Sequence, residues 1–202
     1  MKASKFALQN GISMNIAGGT HHAFTNRGEG FCMLNDQAIG ATYLLENKLA
    51  SKILIVDLDV HQGNGTAEIF QNNDAVFTFS MHGRTNYPFH KEQSDLDIPL
   101  ENETDDEVFL SLLKETLPKL IRNEKPDFIY YLCGVDVIKS DKLGKLSLSL
   151  EGCKERDRFV LKTCHDHNIP IMCSMGGGYS EDIKIIVEAH ANTFRLAQEI
   201  FF

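Results

Sequence analysis

Asp57, Asp59 and His61 stand two apart at the end of the apolar run Ile53-Leu-Ile-Val56, and a glycine-bearing turn, Gln62-Gly-Asn-Gly65, follows them. Side chains along a strand alternate faces, so a strand reaching His61 would put all three groups on one face. Such groups are costly to bury unless they are paired or hold a metal. Two further apolar segments end in related chemistry. Asp127-Phe-Ile-Tyr-Tyr-Leu-Cys-Gly-Val-Asp136 ends in a carboxylate, and Met14-Asn-Ile-Ala17 runs into Gly18-Gly-Thr-His-His22. Asp59, His61 and Asp136 together offer three nitrogen and oxygen ligands and leave one position open, the pattern of a catalytic zinc rather than a closed structural one. Water in that position becomes acidic enough to attack a carbonyl, and a neighbouring histidine can take its proton. Read singly, each segment has a plainer explanation, an aspartate cap or a pair of loop histidines. Their joint occurrence at successive strand ends favours the metal.

Taken together these segments resemble the histone deacetylase family, most closely its class IV branch. The resemblance is carried by Gly18-Gly-Thr-His-His-Ala23, Gly28-Glu-Gly-Phe-Cys32 with Asn35-Asp36, Asp57-Leu-Asp-Val-His-Gln-Gly-Asn-Gly65, Gly134-Val-Asp136 with Asp141-Lys-Leu-Gly144, and Gly176-Gly-Gly-Tyr179. The class IV character comes from Asp-Val-His-Gln-Gly-Asn, where class I members carry a second histidine.

The resemblance implies a three-layer αβα, arginase/deacetylase-like fold around a mostly parallel sheet, with residues 1–202 forming one deacetylase domain. It implies a metal-dependent amidohydrolase that removes acyl groups from N-acyl-lysine. Asp59, His61 and Asp136 would hold zinc, with iron(II) as an alternative occupant. His22 would act as general base and then general acid, oriented by Asn64. His21 would stabilise charge, oriented by Asp57. An amide stabilises imidazolium less well than a carboxylate does, so His22 is expected to be the less basic of the two. Tyr179 would donate to the oxyanion. Gly30, Phe31, Leu143 and Tyr87 would line the acyl tunnel, and Asp141 would brace the loop after Asp136. A structural potassium ion would take Asp57, Asp59, the carbonyl of His61, Ser80 and the carbonyl of Met81.

The elements that must position these groups alternate in type. The patterning predicts strands near 14–17, 52–59, 75–82, 96–99, 127–134 and 170–175. Helices are predicted near 2–10, 35–49, 64–71, 104–123, 151–167 and 180–199. Asn35-Asp36 reads as a helix start, and Thr104-Asp-Asp-Glu107 as a capping box. Strands alternating with helices imply a parallel sheet covered on both faces. Family members carry a region before the helix that leads to His-His, whereas this chain starts almost inside that helix. The expectation is a truncated domain lacking the N-terminal edge strands, with an exposed edge that would serve as a homodimer surface or an aggregation risk.

A length of 202 residues suits one domain with a sizeable core. The net charge of −8 and the absence of a basic run argue against a nucleic-acid partner. Five cysteines without a CxxC pair suggest reduced thiols and a cytoplasmic location, with Cys133 and Cys173 in the core. No segment reaches membrane-spanning length, so no membrane partner is expected. The expected partner is an acylated lysine peptide or a small acyl-amide. Three competing functions remain: a deacetylase of acetylpolyamines, an arginase-like dimanganese ureohydrolase, and a non-catalytic binding or assembly fragment. The ureohydrolase needs further carboxylates where Asn64 and Val137-Ile138 stand, which favours a mononuclear site.

Overall fold

Every residue of the strand Ile53–Asp57 is buried, and the reason is that helices cover both faces of the sheet it centres. In the computed structural model, which describes residues 1–202, the strands are β1 (Ile12–Asn15), β2 (Ile53–Asp57), β3 (Val76–Gly83), β4 (Leu96–Leu100), β5 (Phe128–Leu132) and β6 (Ile171–Ser174). They form one sheet in the order β1-β6-β5-β2-β3-β4, and every pairing is parallel. The helices are α1 (Lys2–Asn10), α2 (Asp36–Glu46), α3 (Asn64–Phe70), α4 (Asp106–Glu124), α5 (Leu150–Asp166) and α6 (Ile183–Phe201).

Strand alternation sorts the core into two layers. Leu54, Val56, Ile129 and Tyr131 pack with α4, α5 and α6 residues such as Phe109, Leu117, Val160 and Leu196. Ile53, Ile55, Phe128 and Tyr130 pack with Ala7, Ala38, Leu44 and Phe70 from α1, α2 and α3. The result is a three-layer αβα fold around an all-parallel sheet, the architecture that the resemblance implied. No helix is long and apolar enough to cross a membrane. All five cysteines are free and buried, Cys133 and Cys173 in the large core layer.

Several boundaries differ from the sequence expectation for local reasons. β1 begins two residues earlier than expected, directly after Gly11, whose φ of 80° closes α1. The helix expected from Thr104 is capped instead by Asp105, which accepts from the N–H of Val108. Thr104 turns its hydroxyl back to the carbonyl of Glu101. The larger correction concerns β2. It stops at Asp57, so Asp59 and His61 do not lie on a strand face. The N–H of Asp59 donates to Asp57 Oδ1 at 3.2 Å, and the N–H of His61 donates to Asp59 Oδ1 at 2.9 Å. Each aspartate thus ties the backbone two residues on, and the chain bends. β1 and β4 are the two sheet edges.

Candidate active site

Three loops leave the same end of the parallel sheet and meet there. The first leaves β2 and carries Asp59 and His61. The second leaves β5 and carries Asp136. The N–H of Val60 donates to Asp136 Oδ1 at 3.0 Å, which joins the two. Carboxylate and imidazole atoms of Asp59, His61 and Asp136 all lie within 4.8 Å of one another. His61 Nδ1 is 3.0 Å from Asp59 Oδ1 and 3.2 Å from Asp136 Oδ2.

Asp136 Oδ2 is buried without a well-formed hydrogen bond. Burial and the neighbouring Asp59 push the Asp136 carboxyl up to about 7. Burial works to raise Asp59 as well, but His61 and His21 outweigh it and hold that carboxyl far below the usual range. Burial works against charge on His61, yet Asp136 and Asp59 lift it to about 10. Two buried carboxylates sharing one imidazole proton make a cluster short of positive charge, and the donor set suits a divalent cation. The third loop leaves β6, and its Gly177 together with Gly134 of the second loop supplies the room. A Cβ on Gly134 would collide with the Asp59 carboxylate, and one on Gly177 with the Asp136 carboxylate.

The tandem histidines follow β1. His21 Nδ1 lies 2.6 Å from Asp57 Oδ2, and His22 Nδ1 lies 2.7 Å from Asn64 Oδ1. Their rings are 4.1 Å apart. Burial opposes charge on His21, but the Asp57 carboxylate overcomes it and raises the imidazole to about 9. Burial and the adjacent His21 push His22 down to about 3, against the weaker pull of Asn64. Burial and the hydrogen-bond partners of the pair thus favour charge on His21 over His22.

The backbone of this pair is clamped from α2 and α3. The N–H of Thr66 donates to the His21 carbonyl at 3.1 Å, and Asn35 Nδ2 donates to Thr66 Oγ1 at 2.9 Å. Asp36 accepts from the N–H of Gly19, from the N–H and hydroxyl of Thr20, and from the Ser174 hydroxyl.

A cleft of about 700 Å³ opens onto these groups, lined by His21, His22, Asp59, His61, Asp136 and Tyr179. All four expected tunnel residues, Gly30, Phe31, Tyr87 and Leu143, line the same cleft. The Tyr87 ring stands edge-on to His22 at 5.0 Å between centroids. Phe31 is 94 % exposed, so it stands at the rim, neither core nor packed wall. Asp141 accepts from the N–H groups of Leu143, Gly144 and Tyr179, which ties the loop after Asp136 to the tyrosine. Of the groups expected around potassium, Ser80 lies beside Asp57 in register, and its hydroxyl is 2.9 Å from His82 Nδ1.

Sequence reasoning missed three contributors. Glu29 accepts from both Asn64 Nδ2 and the Tyr87 hydroxyl. Arg156 and Asp157 form a fully buried pair beneath the site. In the sequence they sit in Lys154-Glu-Arg-Asp-Arg158, a charge run that reads as a solvated helix face.

The family model described as "Histone deacetylase domain" matches residues 1–194. The chain belongs to the histone deacetylase family. It is 46% identical over 198 residues to an uncharacterized protein of Picosynechococcus sp., covering 98% of this chain and 66% of that protein. It is 31% identical over 197 residues to histone deacetylase 2 of Arabidopsis thaliana, covering 96% of this chain and 51% of that one. The chain thus spans half to two thirds of the length of these relatives. Among solved structures, the acetylpolyamine aminohydrolase from Burkholderia pseudomallei superposes with a TM-score of 0.81 at 23% identity, over 98% of this chain and 60% of that one. That likeness supports the fold.

Proposed function

We propose that this histone deacetylase family chain is a metal-dependent amidohydrolase that removes acyl groups from N-acyl-lysine side chains, as its class IV motifs suggest. The observation that carries the reading is the meeting, in one cleft, of a two-carboxylate, one-imidazole cluster with two histidines whose Nδ1 atoms are already engaged. Asp59, His61 and Asp136 would hold a divalent ion, zinc first and iron(II) as the alternative. When bound, such an ion supplies a Lewis acid that polarises an acyl carbonyl and lowers the pKa of water.

The chain's own residues divide the remaining work. His22, buried and starting neutral, accepts a proton at Nε2 and later returns it to the leaving amine. His21, hydrogen-bonded to the Asp57 carboxylate that favours its charged form, stabilises charge beside the reacting centre. The Tyr179 hydroxyl donates to the oxyanion as it forms. Tyr87, Leu143 and Gly30 shape a passage for the methylene stem of lysine. Asp57, Asp59 and Ser80, with the carbonyls of His61 and Met81, are the proposed oxygen donors for a structural potassium ion.

The test is hydrolysis of fluorogenic acyl-lysine peptides of several chain lengths, with and without chelator, beside acetylpolyamines. Chelator-sensitive cleavage of the peptides supports the reading. Cleavage of acetylpolyamines alone replaces the substrate, and no cleavage by a metal-loaded chain leaves only a binding role.

A further inference from the structure

We propose that Glu29 is a positioning residue that sets which ring nitrogen of His22 is free to take a proton. The inference deepens the amidohydrolase reading and rests on it for its catalytic meaning. Asn64 makes two side-chain hydrogen bonds. Its Nδ2 donates to Glu29 Oε1 at 3.0 Å, and its Oδ1 lies 2.7 Å from His22 Nδ1. Asn64 is 2 % exposed, so water does not choose its orientation.

The logic runs through donor and acceptor inventories. A carboxylate only accepts, so it compels Asn64 to turn its NH2 group toward Glu29. The amide oxygen is then the atom left for His22. An amide oxygen also only accepts, so the proton of the neutral imidazole must reside on Nδ1. Nε2 keeps its lone pair, as a general base requires. If Asn64 were free to rotate by half a turn, its NH2 would face His22 and favour the opposite tautomer, whose Nε2 already carries a proton.

Glu29 is itself fixed. The Tyr87 hydroxyl donates to the same Oε1 at 2.7 Å, and Arg27 Nε donates to Oε2 at 3.2 Å. The bond from Tyr87, with those from Asn64 and Arg27, holds the Glu29 carboxyl below the usual range, which keeps it an acceptor at neutral pH. Glu29 thus couples the wall of the cleft to the tautomer of the base.

The experiment reads the tautomer directly, by nitrogen-15 NMR of histidine-labelled, zinc-loaded full chain, with the His22 signals assigned through His22→Gln. The wild type should show His22 protonated at Nδ1. Glu29→Gln keeps the shape but can present either an oxygen or an NH2 group to Asn64, so it should give a mixture of tautomers. Glu29→Ala should do the same. Tyr87→Phe, which leaves the Glu29–Asn64 bond in place, should keep the wild-type tautomer. In the Gln variant kcat should fall in proportion to the lost Nδ1–H fraction, with KM held.

A wild-type tautomer in Glu29→Gln would overturn the proposal, as would an Nε2-protonated His22 in the wild type. Should Glu29→Ala fail to fold, the Gln variant decides alone. A tautomer that moves with Glu29 in a chain without hydrolytic activity would uphold the inference while removing the function proposed above.

Discussion

Arg156 Nη1 donates to the carbonyl of Gly134 at 2.7 Å, reaching from inside α5 to the loop that carries Asp136. The same nitrogen reaches the carbonyl of Leu58 at 3.1 Å, one residue before Asp59. A single buried guanidinium therefore holds the two loops that present the carboxylates of the cluster. Its charge is balanced by Asp157, which also accepts from the hydroxyls of Tyr131 and Thr193. Short loops at a strand end have little internal structure to fix them, and this network supplies it.

Arg156→Met should destabilise the fold by about 3–5 kcal/mol, because it leaves Asp157 buried without its partner. Urea unfolding of wild type and variant at neutral pH measures this. A loss under about 1 kcal/mol would show that the pair is not needed for the fold. Any folded Arg156→Met protein should also bind zinc roughly 10–100-fold more weakly, since it loses support behind two of the three ligands.

Zinc should raise the melting temperature of the chelator-treated wild type, in line with roughly 2.7 kcal/mol of stabilisation at a hundredfold excess over Kd. Asp136→Ala should abolish that rise and lose metal in elemental analysis, while keeping its circular dichroism spectrum. A variant that retains stoichiometric zinc would remove Asp136 from the ligand set.

His22→Ala should lower kcat by about 10²–10⁴-fold, the usual worth of a positioned general base. The Asp57 carboxylate raises the basicity of His21 against burial, which disposes His21 to carry charge, so its effect should come through charge. His21→Gln, which removes the charge and keeps polarity, should leave the pH profile governed by His22. If His21→Gln and His22→Ala were both silent, the tandem-histidine mechanism would be wrong for this chain.

The sequence made the sheet and the cluster legible for different reasons. The strands announced themselves because β2 and β5 are covered on both faces and so read as unbroken apolar runs. The convergence of Asp59 and His61 was anticipated on a mistaken geometry. It arises from two side-chain-to-backbone turns after Asp57, not from strand alternation. Thr104 failed as a cap because Asp105, one residue on, accepts the same kind of bond. Glu29 and Arg156 were illegible because their roles depend on partners 35 and 98 positions away, Asn64 and Leu58. A charged residue in a loop or within a charge run on a helix gives no local signal of such a partner.

Tyr179→Phe tests the last group of the cleft. Its hydroxyl has no hydrogen-bond partner within the protein, whereas its backbone N–H is fixed by Asp141 at 2.6 Å. The ring is therefore held by its main chain, and the hydroxyl is left for a ligand. If it bonds strongly only to the tetrahedral oxyanion, its loss removes transition-state stabilisation and spares ground-state binding. Losing one such donor typically lowers kcat by about 10²–10³-fold. Steady-state kinetics on an acyl-lysine peptide, at equal metal content, should show that fall with KM nearly unchanged. Asp141→Ala should release the loop and disturb both constants. A rise in KM alone for Tyr179→Phe would make the tyrosine a wall of the passage and leave the oxyanion to other donors.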